Sequence, residues 1–158
     1  MSDSLEPKTM NASRIQIAQL MQPEHANNLG NVHGGWIMKL VDEAGALACM
    51  RHAQRRVVTV AIDQMEFHQP ISIGDLVILT AQVTYTGRTS MEAKVDVIAE
   101  NPITGNQTHT NQAYLVYVAL DDNRQPVPIP QILIQTAEEQ RQFDEGKQRQ
   151  AARIARRK

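Results

Sequence analysis

One carboxylate in this 158-residue sequence stands where solubility gives no reason for it. Asp42 falls within 34–52, a stretch whose apolar residues Ile37, Leu40, Val41, Ala44, Leu47 and Ala48 recur at three- and four-residue spacing, as on one face of a helix. Its neighbours along its own helical row are Met38, Gly45, Ala46 and Cys49, all apolar or small, whereas Lys39 and Glu43 fall on a different side. A carboxylate held against apolar surface is unfavourable unless it is paired or hydrogen-bonded. Its placement points to proton transfer or nucleophilic attack, or else to an interface that brings a donor to it.

Just upstream, residues 27–35 read NNLGNVHGG, from Asn27 to the pair Gly34 and Gly35. Two glycines opening a helix let another group approach the unsatisfied N–H groups of the first turn. Helped by the helix dipole, those groups can hold a negative oxygen. In acyl transfer the charge develops on the carbonyl oxygen, so such donors would form an oxyanion hole; a packing need alone also accounts for two glycines. No other constellation competes. His25, His33, His52, His68 and His109 show no metal-ligand spacing and Cys49 is the only cysteine, so no metal site is expected. There is no G-x-S-x-G elbow and no phosphate-binding loop.

These residues need elements to hold them. A short strand is expected over 14–22, then a Pro-, Asn- and Gly-rich loop, then the long helix with a narrow solvent-facing strip. Four extended segments follow, at 57–67, 76–86, 91–100 and 109–120. The third alternates, with Met91, Ala93, Val95, Val97 and Ala99 on one face and Glu92, Lys94, Asp96 and Glu100 on the other and Ile98 as the exception, the pattern of a half-buried antiparallel strand. Short connections such as GRTS and NPITGNQT make successive hairpins, a meander. The expected class is α+β, an antiparallel sheet wrapped around one long central helix. Residues 1–12 are expected to be a disordered N-terminus, 13–130 the folded domain, and 131–158 a charged C-terminal helix, solvated and fraying into a basic tail. A formal net charge of −1 argues against a nucleic-acid partner. No apolar run approaches membrane-spanning length and the first dozen residues lack a secretory pattern, so no membrane partner and a cytoplasmic location are expected.

The stretch AN-x-x-GNVHGG-WIMKLVDEAGALA (26–48) resembles hotdog-fold acyl-CoA thioesterases of the cytosolic (brain-type) acyl-CoA hydrolase and YciA-like group. The likeness continues through VVTVAIDQMEFHQPISIGDLV, VTYTGRTSMEAKVDVIAEN, TNQAYLVYVALD and VPIP, and covers about residues 15–130. It implies a hotdog fold, with hydrolysis of acyl-CoA to free acid and CoA. Asp42 matches the helix aspartate that activates water as general base or attacks the thioester directly. Gly35 matches the glycine whose N–H faces the thioester oxygen. Asn27 matches a loop asparagine that lies near the other subunit's carboxylate and could orient water. Gly34 and His33 belong to the substrate-binding stretch, His33 by packing rather than imidazole chemistry. Arg88, Thr89 and Ser90 match a turn near the CoA phosphates. Trp36, Met38, Met65 and Phe67 are candidates to line an acyl tunnel. The resemblance further implies no cofactor beyond the CoA of the substrate, a homodimer with two equivalent sites, and a homohexamer built as a trimer of dimers. The alternative is a hotdog module that binds or senses acyl-CoA without hydrolysing it.

Overall fold

The structure, a computed structural model, describes residues 5–157. Its elements follow the order β1 (Lys8–Thr9), α1 (Met10–Ser13), β2 (Ile15–Leu20), α2 (Gly34–Ala53), β3 (Arg56–Phe67), β4 (Leu76–Thr86), β5 (Ser90–Glu100), β6 (Gln107–Leu120), β7 (Ile132–Leu133) and α3 (Ala137–Arg156). Five strands form one antiparallel sheet in the order β2-β4-β5-β6-β3. The meander expected from the short connections therefore holds for β4, β5 and β6, while β3 crosses to the far edge beside β6. This is the hotdog arrangement, a sheet wrapped around α2. Ile37, Leu40, Val41, Ala44 and Ala48 are buried against the inner-face residues Val77, Leu79, Val95, Val97 and Leu115. Burial of each such aliphatic side chain is worth about 1.5–3 kcal/mol, which fixes the helix on the sheet.

The solvent strip on α2 is wider than periodicity suggests. Leu47, expected on the buried face, is 42% exposed, and Met38 and Met50 are open as well. On β3, Val58, Val60 and Ile62 are 43%, 43% and 41% exposed along a 12-residue edge. A long apolar edge strand presents unpaired backbone groups that invite a further strand. Both α2 and the edge strand β3 thus carry apolar side chains that this protomer does not cover itself.

Both chain ends depart from expectation. Residues 1–4 lie outside the described residues, but 8–12 are folded rather than disordered: β1 pairs in parallel with β7 and Met10 is fully buried. Ser13 ties this segment down, donating to the Met10 carbonyl and accepting from Val83 N–H. At the other end α3 is a docked helix, not a solvated one. The Phe143 ring lies 4.9 Å from that of Tyr85. Arg149 donates twice to Glu92 at 2.8 and 2.9 Å and stacks on Tyr114, and Arg153 pairs with Asp63 on β3 at 2.8 Å. A Cβ added at Gly146 would meet Tyr85 at 2.7 Å and Glu92 at 2.8 Å, so the glycine is what lets the helix lie this close. Glu92, expected on the solvent face of its strand, is consequently 2% exposed, because α3 covers the face to which it points.

Candidate active site

The start of α2 is built by the loop before it. The Asn27 side-chain oxygen accepts from Leu29 N–H at 2.9 Å and Asn31 N–H at 3.2 Å, closing a turn that Gly30 completes in the left-handed region at φ 87°. The turn anchors the strand-like entry at Val32, whose N–H donates to the Ile71 carbonyl. A cleft of about 250 Å³ opens here, lined by Asn27, Gly34, Ile37, Phe67, His68 and Ile71 among others. Of the expected tunnel residues only Phe67 lines it. Trp36 instead stacks on His25 at 4.2 Å and donates to Gln19, Met65 packs on the core, and Met38 is open.

The first-turn donors are not both free. His33 is the N-cap of α2, and its Nδ1 accepts the Gly35 N–H at 2.9 Å. An orphan donor at a helix start takes the nearest acceptor, and an imidazole nitrogen does here what a Ser or Asp oxygen does elsewhere. The role expected of His33, packing, therefore becomes capping. The Gly35 N–H, expected to face a ligand, is engaged within the chain. Among the described residues nothing accepts from the Gly34 N–H.

Asp42 is half-buried on the same helix, two turns on, at the margin of the uncovered apolar surface. Its Oδ1 accepts from Thr59 Oγ1 at 2.8 Å and from the Tyr117 hydroxyl at 2.9 Å; among the described residues nothing donates to Oδ2. Burial, and then the neighbouring Asp42 charge, hold the Tyr117 phenol far above its ordinary ionisation range, so it remains a donor. Burial first, then the charge of Glu92, likewise push the Cys49 thiol up, which removes it as a nucleophile. Neither Thr59 nor Tyr117 was singled out by sequence. Eight residues separate Gly34 from Asp42, about 12 Å at 1.5 Å per residue, so the helix start and the carboxylate of one chain do not converge on one small group.

Arg88, Thr89 and Ser90 lie elsewhere again. Their turn is bound by its backbone to the end of β6 and to the segment after it, Ala119 N–H donating to the Thr89 carbonyl and Ile129 N–H to that of Arg88, while Ser90 faces the underside of α3. Within one protomer this turn does not adjoin the cleft. Among the described residues no group of three or more His, Cys, Asp or Glu side chains could hold a metal ion, and no helix is long and apolar enough to cross a membrane.

The family description "Thioesterase superfamily" matches residues 29–105, which carry Asp42, Thr59 and, apart from Asn27, the cleft lining. An uncharacterized acyl-CoA thioester hydrolase of Bacillus subtilis is 36% identical over 134 residues, 85% of this chain and 74% of that protein. This chain belongs to the thioesterase superfamily. Within it, the relatives to which the chain is similar are named acyl-CoA thioester hydrolases. A cytosolic acyl coenzyme A thioester hydrolase of Rattus norvegicus is 34% identical over 146 residues, 91% of this chain; the chain spans 38% of that relative's length. A crystal structure of an apo-hexameric acyl-CoA thioesterase superposes on this thioesterase-superfamily chain with a TM-score of 0.91 at 38% identity, covering 96% of this chain and 97% of that one.

Proposed function

We propose that this protein hydrolyses acyl-CoA thioesters, with Asp42 of one protomer acting on a thioester held at the α2 start of a second. The carrying observation is the Asp42 carboxylate, anchored through Oδ1 and open at Oδ2 beside an apolar surface left uncovered. Two-fold pairing along the edge strand β3 would cover that surface, and if the two α2 helices run antiparallel across the axis, one copy's helix start lies against the other copy's mid-helix. It bridges the roughly 12 Å that separates the two in one chain. Asn27 and the Gly34 and Gly35 N–H groups then serve the partner's Asp42. A thioester oxygen arriving at Gly35 would take the place of the His33 nitrogen.

In the reaction Oδ2 takes a proton from water as the water oxygen adds to the carbonyl carbon, or itself adds to that carbon to give, once CoA has left, an Asp42 anhydride that a water then hydrolyses to the free acid and the restored carboxylate. Negative charge moves to the carbonyl oxygen, where helix-start N–H donors stabilise it. The C–S bond then breaks and the CoA sulfur leaves, to be protonated. Arg88, with Thr89 and Ser90, is suited to CoA phosphates by its bidentate guanidinium. The hexameric relative supports a homohexamer, which on this reading is built from three such dimers. A cytosolic location follows the name of the mammalian relatives, and the reaction needs no cofactor beyond the CoA of its substrate.

A thiol-release assay across short-, medium- and long-chain acyl-CoAs tests the reading, run beside calorimetry with a non-hydrolysable analogue. Turnover on at least one chain length is expected. Tight analogue binding with no thiol released from any of them would instead make the protein a binding module. Thr59→Ala removes one of the two donors to Oδ1 from an exposed position. It is expected to lower kcat by about ten-fold at nearly constant KM, with stability changed by less than about 0.5 kcal/mol. Steady-state kinetics and a thermal melt read both.

A further inference from the structure

We propose that Tyr117 is a positioning residue for the Asp42 carboxylate, and that Gly45 lacks a side chain so that the phenol can reach it. The Tyr117 side chain is fully buried under α2, and its hydroxyl oxygen lies 2.9 Å from Asp42 Oδ1 and equally 2.9 Å from the Asp42 main-chain carbonyl oxygen. One O–H bridging the side chain and main chain of the same residue resists rotation about the Asp42 Cα–Cβ bond, because turning the carboxylate abandons one of the two acceptors. Thr59 holds the same oxygen at 2.8 Å from β3. The two donors come from paired positions on adjacent strands, since Thr59 and Tyr117 are register partners. Together they commit Oδ1 and leave Oδ2 as the outward oxygen.

The approach is possible only through a gap in the helix. A Cβ at Gly45 would lie 2.5 Å from the Tyr117 oxygen and 3.1 Å from two of its ring carbons, distances at which the ring must move. Glycine in a helix interior is unfavourable, and α2 keeps one three residues after Asp42, where the phenol passes. The role rests on Asp42 being the reactive carboxylate.

The test is a double-mutant cycle on the full-length assembled protein, read with the acyl-CoA turned over fastest in the thiol-release series. Tyr117→Phe is expected to lower kcat by about ten-fold with KM within about two-fold, the loss of one hydrogen bond to a charged group. In the Asp42→Asn background the same change is expected to lower kcat by less than about two-fold, because the carboxylate it served is gone. A purely structural tyrosine would produce the same fold-loss in both backgrounds, and that result, or an unchanged kcat in the wild-type background, overturns the role. Gly45→Ala keeps the hydroxyl but displaces it. It should reproduce the kcat loss, and Gly45→Ala with Tyr117→Phe should be no slower than Tyr117→Phe alone. If Tyr117→Phe does not assemble, Gly45→Ala in the two Asp42 backgrounds reads the same coupling. Full turnover by Asp42→Asn itself would remove the reading of Asp42, whereas equal losses in both backgrounds remove only the positioning role.

Discussion

Asp42→Asn is expected to lower kcat for acyl-CoA hydrolysis by about 10²–10⁴-fold with KM within about two-fold, the magnitude of losing a positioned general base. The substitution keeps the shape of the side chain, and its amide oxygen can still accept from Thr59 and Tyr117. The fold and assembly should survive, so the loss belongs to the chemistry. If Asp42 is the nucleophile rather than the base, the loss is at least as large, since an amide does not attack a thioester. Steady-state thiol release and a thermal melt of the variant check both halves. Turnover within ten-fold of wild type would contradict the assignment.

Arg149→Leu is expected to reduce stability by about 3–5 kcal/mol, because it leaves the Glu92 carboxylate buried without its partner. Glu92 has a 3% exposed side chain and its cationic partner is Arg149, which also covers the face of Tyr114. Thr84 donates to the same carboxylate at 2.8 Å but carries no charge to offset. The midpoint of thermal unfolding should fall by about 10 °C, with loss of α3 helicity seen first by circular dichroism. Replacing both partners with Leu is expected to recover most of the loss, since a buried ion pair exchanged whole for apolar groups is often neutral. A single substitution with no change in melting would show that α3 is not held by this pair.

The sheet and the central helix were legible because their burial follows simple periods. Strict alternation from Met91 to Ala99 set β5, and three- and four-residue spacing from Ile37 to Ala48 set α2. Strand order was not legible, since β3 reaches its place beside β6 through contacts that no local pattern encodes. The docking of α3 was missed for a different reason: it is held by Arg149, Arg153, Gly146 and Phe143, and paired charges leave no apolar period to read. Likewise Leu47 fits the buried arc by spacing and is open by geometry, because the sheet of this protomer does not reach round to its side of the helix. At the site, Asp42 stood out as a charge in an apolar row, whereas Gly45 read only as one of the small residues of that row. Thr59 and Tyr117 gave no such signal, since a Thr and a Tyr in strands read as ordinary strand formers. The capping of Gly35 by His33 was hidden too, because an imidazole at a helix start looks the same whether it packs, binds or caps.

Subunit mixing tests the shared site most directly. Asn27→Asp keeps the side-chain oxygen that closes the loop onto Leu29 and Asn31 while removing the amide donor; Asp42→Asn removes the carboxylate from the other end. Each homo-oligomer should be nearly inactive. If each site joins Asn27 of one chain to Asp42 of its partner, dissociating and reassembling an equal mixture gives half hybrid dimers, each with one intact site, and activity should return to about a quarter of wild type. A mixture that stays as inactive as its components, with hybrids shown by native mass spectrometry to have formed, would place both residues of a site in one chain and contradict the account.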